Sequence, residues 1–313
     1  MVSTIVIALG GNAILQADQK GSFHDQMGNI NRIATQIASL VHDGHRIVLT
    51  HGNGPQVGSL LIQQDEASDH VPAQPLDVLG AMSQGQIGYM VQQALANSLA
   101  PDGVPVVTLI TQQVVDPDDE AFEHPTKPVG PFYTAREAKR LSVLKGWPME
   151  HVAPHRERGY RRVVPSPRPL RSVEAPAVAT LVKAGTVVIA SGGGGIPVRE
   201  VDGRLEGVEA VIDKDLSAQQ LAEQAGADVL MLMTDIERVK LHYGTEKEED
   251  IVSMNVREAR DYMAEGHFPE GTMGPKVSAA ASFVERTGGT AIISSIDTIC
   301  EAFEGSTGTR ITQ

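Results

Sequence analysis

Apolar residues along this chain fall into short continuous runs, each ending in polar or glycine-rich residues, with longer helically spaced segments between them. Ile5–Leu9 runs into Gly10, Gly11 and Asn12, and Arg46–Thr50 into His51, Gly52, Asn53 and Gly54. Thr186–Ala190 runs into Ser191 and Gly192–Gly195, and Val229–Met233 into Thr234 and Asp235. Runs of this length, apolar at every position, predict strands buried on both faces, as in a parallel sheet. Ile30, Ile33, Ala34, Ile37, Leu40 and Val41 recur at helical spacing and predict a helix over 28–41, stopped at Gly44. Further helices are predicted over 76–99, 217–224 and 274–286, with strands over 104–110 and 290–295. The alternation predicts an α/β fold with helices on both faces of a mainly parallel sheet. Ligands of such sheets sit outside the carboxyl ends of the strands, where the glycine-rich loops lie here.

Residues 116–176 break the rhythm. Pro117, Pro125, Pro128, Pro131, Pro148, Pro154, Pro165, Pro167 and Pro169 would interrupt helices and central strands repeatedly. Irregular stretches of this length are uncommon unless functional or structured in themselves. The segment reads as an inserted subdomain or lid carrying Lys127, Trp147 and the basic run Arg156–Arg171.

Composition narrows the chemistry. The 313 residues carry a formal net charge of −13, which argues against a general nucleic-acid or anionic-membrane binder. An acidic protein that binds phosphates must therefore gather its lysines locally. Cys300 is the sole cysteine, so no intrachain disulfide and no cysteine-based zinc cluster can form, which fits a reducing cytoplasm. No run approaches the length needed to span a bilayer, and the histidines show no metal-ligand spacing. The P-loop and the G-x-G-x-x-G dinucleotide pattern are both absent.

Lys214, within Asp213-Lys214-Asp215, and Lys276, within Gly271–Lys276, each stand near the head of a helix-like segment. A lysine is unfavourable there unless an anion binds, so both are candidate phosphate contacts, with Asp215 placed to hold them. Gly10, Gly11 and Asn12 could offer N–H groups to a phosphate. The two glycines around Asn53 allow close approach to a small planar anion. The four glycines after Ser191 carry a large entropy penalty on ordering, which favours a close-approach role. Asp235 suits either a ribose contact or a helix N-cap. The Glu246–Asp250 charge run reads as solvated surface.

Taken in order, these motifs resemble those of the carbamate kinases, a branch of the amino-acid-kinase superfamily. They are ALGGNA at 8–13, THGNGPQVG at 50–58, SQGQIGYMVQQAL at 83–95, KPVGPFY at 127–133, RRVVPSP at 161–167, SGGGGIPV at 191–198, GVEAVIDKDLSA at 207–218 and GTMGPK at 271–276. The resemblance covers essentially the whole chain. It implies a single three-layer α/β/α domain, a homodimer, and reversible phosphoryl transfer between ATP and carbamate giving ADP and carbamoyl phosphate. Residues 1–206, with the 116–176 lid, would bind carbamate or carbamoyl phosphate, and residues 207–313 the adenine nucleotide, with Mg²⁺ carried by the nucleotide.

Lys127, Lys214, Asp215, Lys276, Asn12 and Gly11 are the catalytic residues the resemblance implies. Gly10, Gly52, Asn53, Gly54, Ser191, Gly192, Gly193 and Gly194 would bind the carbamoyl group. Thr234, Asp235, Tyr243, Met273, Gly274 and Lys276 would bind the nucleotide. Many superfamily members carry a lysine in the first strand, but Val6–Leu9 has none. The resemblance places that charge at Lys127, on the insertion. A kinase of another small acid and a non-catalytic nucleotide binder are the competing readings.

Overall fold

A computed structural model describes residues 2–16, 18–269 and 271–313, with Asn12 described by its backbone alone. Its centre is an eight-stranded sheet. From one edge to the other its strands are Ser253–Asn255, Thr309–Thr312, Thr290–Ser295, Val229–Thr234, Thr4–Leu9, Arg46–His51, Val187–Ile189 and Val106–Thr108. Every neighbouring pair is parallel except Thr290–Ser295 with Thr309–Thr312.

The strand alternation decides the layers. Ile5, Ile7 and Leu9 face the helices Phe23–His42 and Leu76–Ser98, joined by Ile47, Leu49, Met231 and Ile292. Val6 and Ala8 face the helices Lys214–Ala225 and Met273–Thr287, joined by Val48, Leu230, Leu232 and Ile293. With both faces covered, the strand Thr4–Leu9 is buried at every position, which is why it carries no polar alternation. Phe283 and Leu95, each fully buried on opposite sides, anchor the two outer layers. The result is the expected three-layer α/β/α arrangement.

The helices start and stop where local chemistry requires. Phe23–His42 begins at a Ser22/Asp25 capping box, five residues earlier than its apolar spacing shows, because the cap rather than the core fixes its start. Lys214–Ala225 begins at Asp213, whose side chain accepts from the N–H groups of Asp215 and Leu216, and it ends at Gly226 with φ 67°. The strand expected over 104–110 is confined to Val106–Thr108, since Pro105 cannot donate to a ladder.

The proline-rich region divides in two. Lys127–Tyr133, Tyr160–Val164 and Met149–His151 form an antiparallel three-stranded sheet, with the helix Ala135–Lys145 capped by Thr134 and Glu137. This unit is narrower than the 116–176 segment marked by the prolines. Pro169–Ser172 pairs instead with Gln112–Val115, in a four-stranded sheet completed by Ile196–Val201 and Arg204–Gly207. The small unit stands against the helix Gly54–Ala67, where Val57, Val129 and Val164 share an apolar cluster and Lys145 pairs with Asp65.

Candidate active site

The strands Val229–Thr234, Thr4–Leu9, Arg46–His51 and Val187–Ile189 are consecutive neighbours in the sheet, so the loops that follow them open at one edge. Two cavities lie there. The first, of about 460 Å³, is lined by Gly10, Thr234, Asp235, Tyr243, Phe268 and Met273 among others. The second, of about 600 Å³, is lined by Gly52, Asn53, Gly54, Lys127, Gly193 and Asp213 among others. Gly11, Lys214, Gly271 and Lys276 line both cavities and form their common wall.

At that wall Asp215 is 4% exposed and carries one ammonium group on each oxygen. Lys214 Nζ donates to Oδ1 at 2.6 Å and Lys276 Nζ to Oδ2 at 2.9 Å. Burial alone would raise the Asp215 carboxyl, but the two adjacent ammonium groups outweigh it and hold the carboxyl below its usual value. Lys214 moves the other way from a normal lysine. Burial lowers its pKa, and repulsion from Lys276 adds to that, against the attraction of Asp215. Lys127 reaches the same region from the small antiparallel unit, with Nζ donating to Asp213 Oδ2 at 3.0 Å. Three lysines meeting two carboxylates leave this part of an acidic protein with a local positive excess.

The walls of the second cavity are largely backbone. Gly193 has φ 68°, and a Cβ there would overlap the Asn53 amide; Gly192 packs directly on the His51 ring. The helix Leu76–Ser98 braces this arrangement. Asn53 Nδ2 donates to Ser83 Oγ at 2.9 Å, and Gln84 Nε2 donates to the carbonyls of Gly192 at 3.0 Å and Thr111 at 3.2 Å. Ser191, also left-handed at φ 53°, is wholly buried. Its N–H donates to Thr111 Oγ1 at 2.6 Å, and its carbonyl accepts from Thr50 Oγ1 at 2.8 Å. Of the expected carbamoyl-binding set, Gly52, Asn53, Gly54 and Gly193 face the second cavity, and Gly10 faces the first. Ser191, Gly192 and Gly194 form the layer behind, where they set the shape of the wall.

The expected nucleotide set divides similarly. Thr234, Asp235, Tyr243, Met273 and Lys276 line the first cavity. Gly274 does not, because its N–H is drawn to the carbonyl of Pro269 at 3.1 Å. No helix begins at Asp235, whose carboxylate accepts instead from Thr234 Oγ1 at 3.0 Å. The side chain of Asn12 lies outside the described residues, while its backbone sits in the short helical turn Gly11–Ile14.

Other lining residues stand outside the expected site set. Phe268 and Ile296 give the first cavity an apolar flank, Phe268 from a loop with no motif and Ile296 from the 3-10 turn Ile296–Thr298 that follows the strand Thr290–Ser295. Lys240 also lines it, paired with Glu248 at 2.6 Å and Asp250 at 3.4 Å; the Glu246–Asp250 run is solvated surface as expected, and it also holds this lysine at the cavity. Arg161 lines the second cavity and donates through Nε and Nη2 to the Gly130 carbonyl, at 3.0 and 2.8 Å. Asp213 was visible only as a neighbour of Lys214, since its partner is 86 residues away.

The chain belongs to the amino acid kinase family, whose sequence profile matches residues 3–295. Within that family it groups with the carbamate kinases. It is 53% identical over 315 residues to the carbamate kinase of Pyrococcus furiosus, covering 99% of both chains. The structure of carbamate kinase from Giardia lamblia bound to AMP-PNP superposes with a TM-score of 0.93 at 44% identity, covering 99% of this chain and 98% of that one. The fold reaches further: N-acetylglutamate synthase from Neisseria gonorrhoeae has a TM-score of 0.58 at 17% identity, covering 99% of this chain and 61% of that one.

His51 offers a test of the wall. It is fully buried, and burial lowers its pKa from 6.5 to about 4, although the Gly52 carbonyl, 3.1 Å from Nδ1, favours the protonated ring. Between these two values the unfolded chain binds the extra proton, so stability is complete above pH 6.5 and falls as the pH drops toward about 4. The expected loss is on the order of 3 kcal/mol. Urea unfolding at pH 7 and pH 4.5 should show a steeper loss for the wild type than for His51→Gln. Equal losses would mean that the ring titrates normally.

Proposed function

We propose that this chain is a carbamate kinase that transfers a phosphoryl group between carbamoyl phosphate and ADP, and that it works chiefly toward ATP in the catabolism of arginine or another nitrogen compound. The observation that carries this reading is the common wall of the two cavities. A phosphoryl group passing between them must cross Lys214 and Lys276, with Lys127 opposite in the second cavity. One cavity takes the adenine nucleotide and the other the carbamoyl group.

In the ATP-forming direction, an oxygen of the ADP β-phosphate attacks phosphorus while the bond to the carbamate oxygen breaks. Such transfers ask little covalent chemistry of the protein and much in positioning and charge neutralisation. Lys127, Lys214 and Lys276 neutralise the oxygens of the moving group, and Asp215 holds Lys214 and Lys276 in place. Gly11 and Asn12 donate hydrogen bonds to the same oxygens. Gly52, Asn53, Gly54 and Gly193 seat the carbamate, backed by Ser191, Gly192 and Gly194. Gly10, Thr234, Asp235, Tyr243 and Met273 line the nucleotide side. The strand Thr4–Leu9 has no lysine and is buried throughout, so the additional charge comes from Lys127 on the lid.

Among the described residues, no group of three or more His, Cys, Asp or Glu side chains could hold a metal ion, and Asp213 and Asp215 are both engaged by lysines. These residues suit a Mg²⁺ that enters on the nucleotide, held by phosphate oxygens and water. When bound, it would offset charge on the nucleotide phosphates. No helix among the described residues is long and apolar enough to cross a membrane. The reading also includes a second copy of the chain as partner, a cytoplasmic setting, and a division of labour between residues 1–206 and 207–313 with the lysine cluster at its seam.

Coupled measurement of ATP formation from ADP and carbamoyl phosphate tests the proposal, and a lack of turnover would refute it. Lys214→Ala should lower kcat on the order of 10²-fold or more, as removal of one preorganised donor does. Near-normal turnover would take Lys214 out of the mechanism. For Lys127→Ala the expected result is a large fall in kcat with ADP affinity retained by calorimetry; an unchanged rate would leave the lid a structural role only. The lowered pKa of Lys214 sets a third test. Lys214 gives up its charge at a lower pH than an ordinary lysine, so kcat/KM should decline on the alkaline side before the usual lysine value of 10.5 is reached. Lys214→Arg, slower overall, should lack that decline because guanidinium does not deprotonate in this range.

A further inference from the structure

Asp213 has two oxygens with separate tasks. Oδ1 accepts from the N–H groups of Asp215 at 2.9 Å and Leu216 at 3.4 Å, and so caps the helix that begins with Lys214. Oδ2 accepts from Lys127 Nζ at 3.0 Å. The cap does not need a carboxylate, because asparagine caps a helix about as well as aspartate. Only the second task uses the charge.

Lys127 has more need of a partner than the other two lysines. Its side chain is 37% exposed, against 18% for Lys214 and 12% for Lys276. It sits on the strand Lys127–Tyr133 of the small unit, whereas Lys214 and Lys276 head helices of the main body. A long flexible side chain on a separate structural unit occupies many rotamers unless it is fixed. Asp213, 19% exposed and tied to the backbone through Oδ1, gives it a rigid anchor on the main body. An ammonium group has three N–H donors, so Lys127 keeps two for phosphoryl oxygens while it remains on Asp213.

We propose that Asp213 is a positioning residue for phosphoryl transfer: it aims Lys127 of the lid at the moving phosphoryl group, as Asp215 aims Lys214 and Lys276. The role goes beyond the assignment of the three lysines and rests on the carbamate kinase reading. It makes the N-cap of one helix the fixed point for all three charges. Asp213 and Asp215 hold the cluster from opposite ends of the same first turn. The Lys127–Asp213 pair is also where the catalytic alignment of the lid is set.

The test is a double-substitution cycle in the ATP-forming assay with Asp213→Asn, Lys127→Ala and the combined variant. Asp213→Asn keeps the cap, so its melting temperature should match the wild type, and ADP affinity should be unchanged. Its kcat should fall about 10- to 100-fold, the scale of a misplaced catalytic group. In the Lys127→Ala background the same substitution should cost almost nothing further, because the two residues act as one unit. A purely structural Asp213 would give the same fractional loss in both backgrounds, and that result, or a wild-type kcat in Asp213→Asn, would overturn the proposal. If Asp213→Asn melts lower, Asp213→Ser, another capping residue without charge, must repeat the pattern, and a failure to do so likewise counts against it. An inactive wild type would refute the carbamate kinase reading itself. An active wild type with an unimpaired Asp213→Asn would refute this inference alone.

Discussion

Asp215 lies almost out of water with an ammonium group on each of its oxygens, and the arrangement of the site follows from keeping that triad intact. Burying two ammonium groups here would be costly without a carboxylate between them, since the cost of removing an ion from water is recovered only through close opposite charge. The carboxylate is held by the first turn of the Lys214–Ala225 helix, which is packed on the sheet through Ala218, Leu221 and Ala222. Lys276 arrives on the neighbouring helix Met273–Thr287, fixed to the same face by Val277 and Phe283. Core packing thus sets the spacing of the two lysines, and the electrostatics of the triad depend on that packing. The sheet must be rigid and dry enough to keep two like charges near one carboxylate.

The parts of this design that were readable without coordinates share a cause. Strands buried on both faces are apolar along most of their length, so Ile5–Leu9, Val229–Met233 and the Ala291–Ile293 centre of the next strand announce themselves. Loops at the carboxyl ends of adjacent strands converge by topology, so Gly11, Gly52 and Lys214 could be expected together before any distance was known. Where the reading fell short, tertiary contacts made the decision. The packing of Ser191 and Gly192 against His51, Gln84 and Thr111 is carried by residues far away in sequence and has no local signal. Phe268 reaches the first cavity from a loop without periodicity. Lys240 is drawn to it by acidic residues that look like plain surface. The proline-rich stretch signalled a departure from the α/β pattern but not its limits, because Pro169 lies in a strand of a different sheet.

In the proposed mechanism, the small antiparallel unit supplies the charge that the first strand lacks. Its three-stranded sheet brings Lys127 across the second cavity, and its contact with the helix Gly54–Ala67 ties it to the loop that carries Asn53. A charge on a separate unit can be withdrawn as that unit moves, whereas a charge on the central sheet cannot.

The wall of the second cavity is made largely of main chain, at Gly52, Gly54 and Gly193, and is propped from behind by residues that never reach solvent. A pocket shaped by side chains can be enlarged or narrowed one substitution at a time. This one has few side chains to trim, and adding one at Gly193 collides with Asn53. Recognition written in the backbone is therefore evolutionarily stiff. A descendant that accepted a bulkier acid would need a loop of different length, so insertions and deletions near residues 52–54 and 191–195 should mark changes of substrate more reliably than amino-acid replacements do.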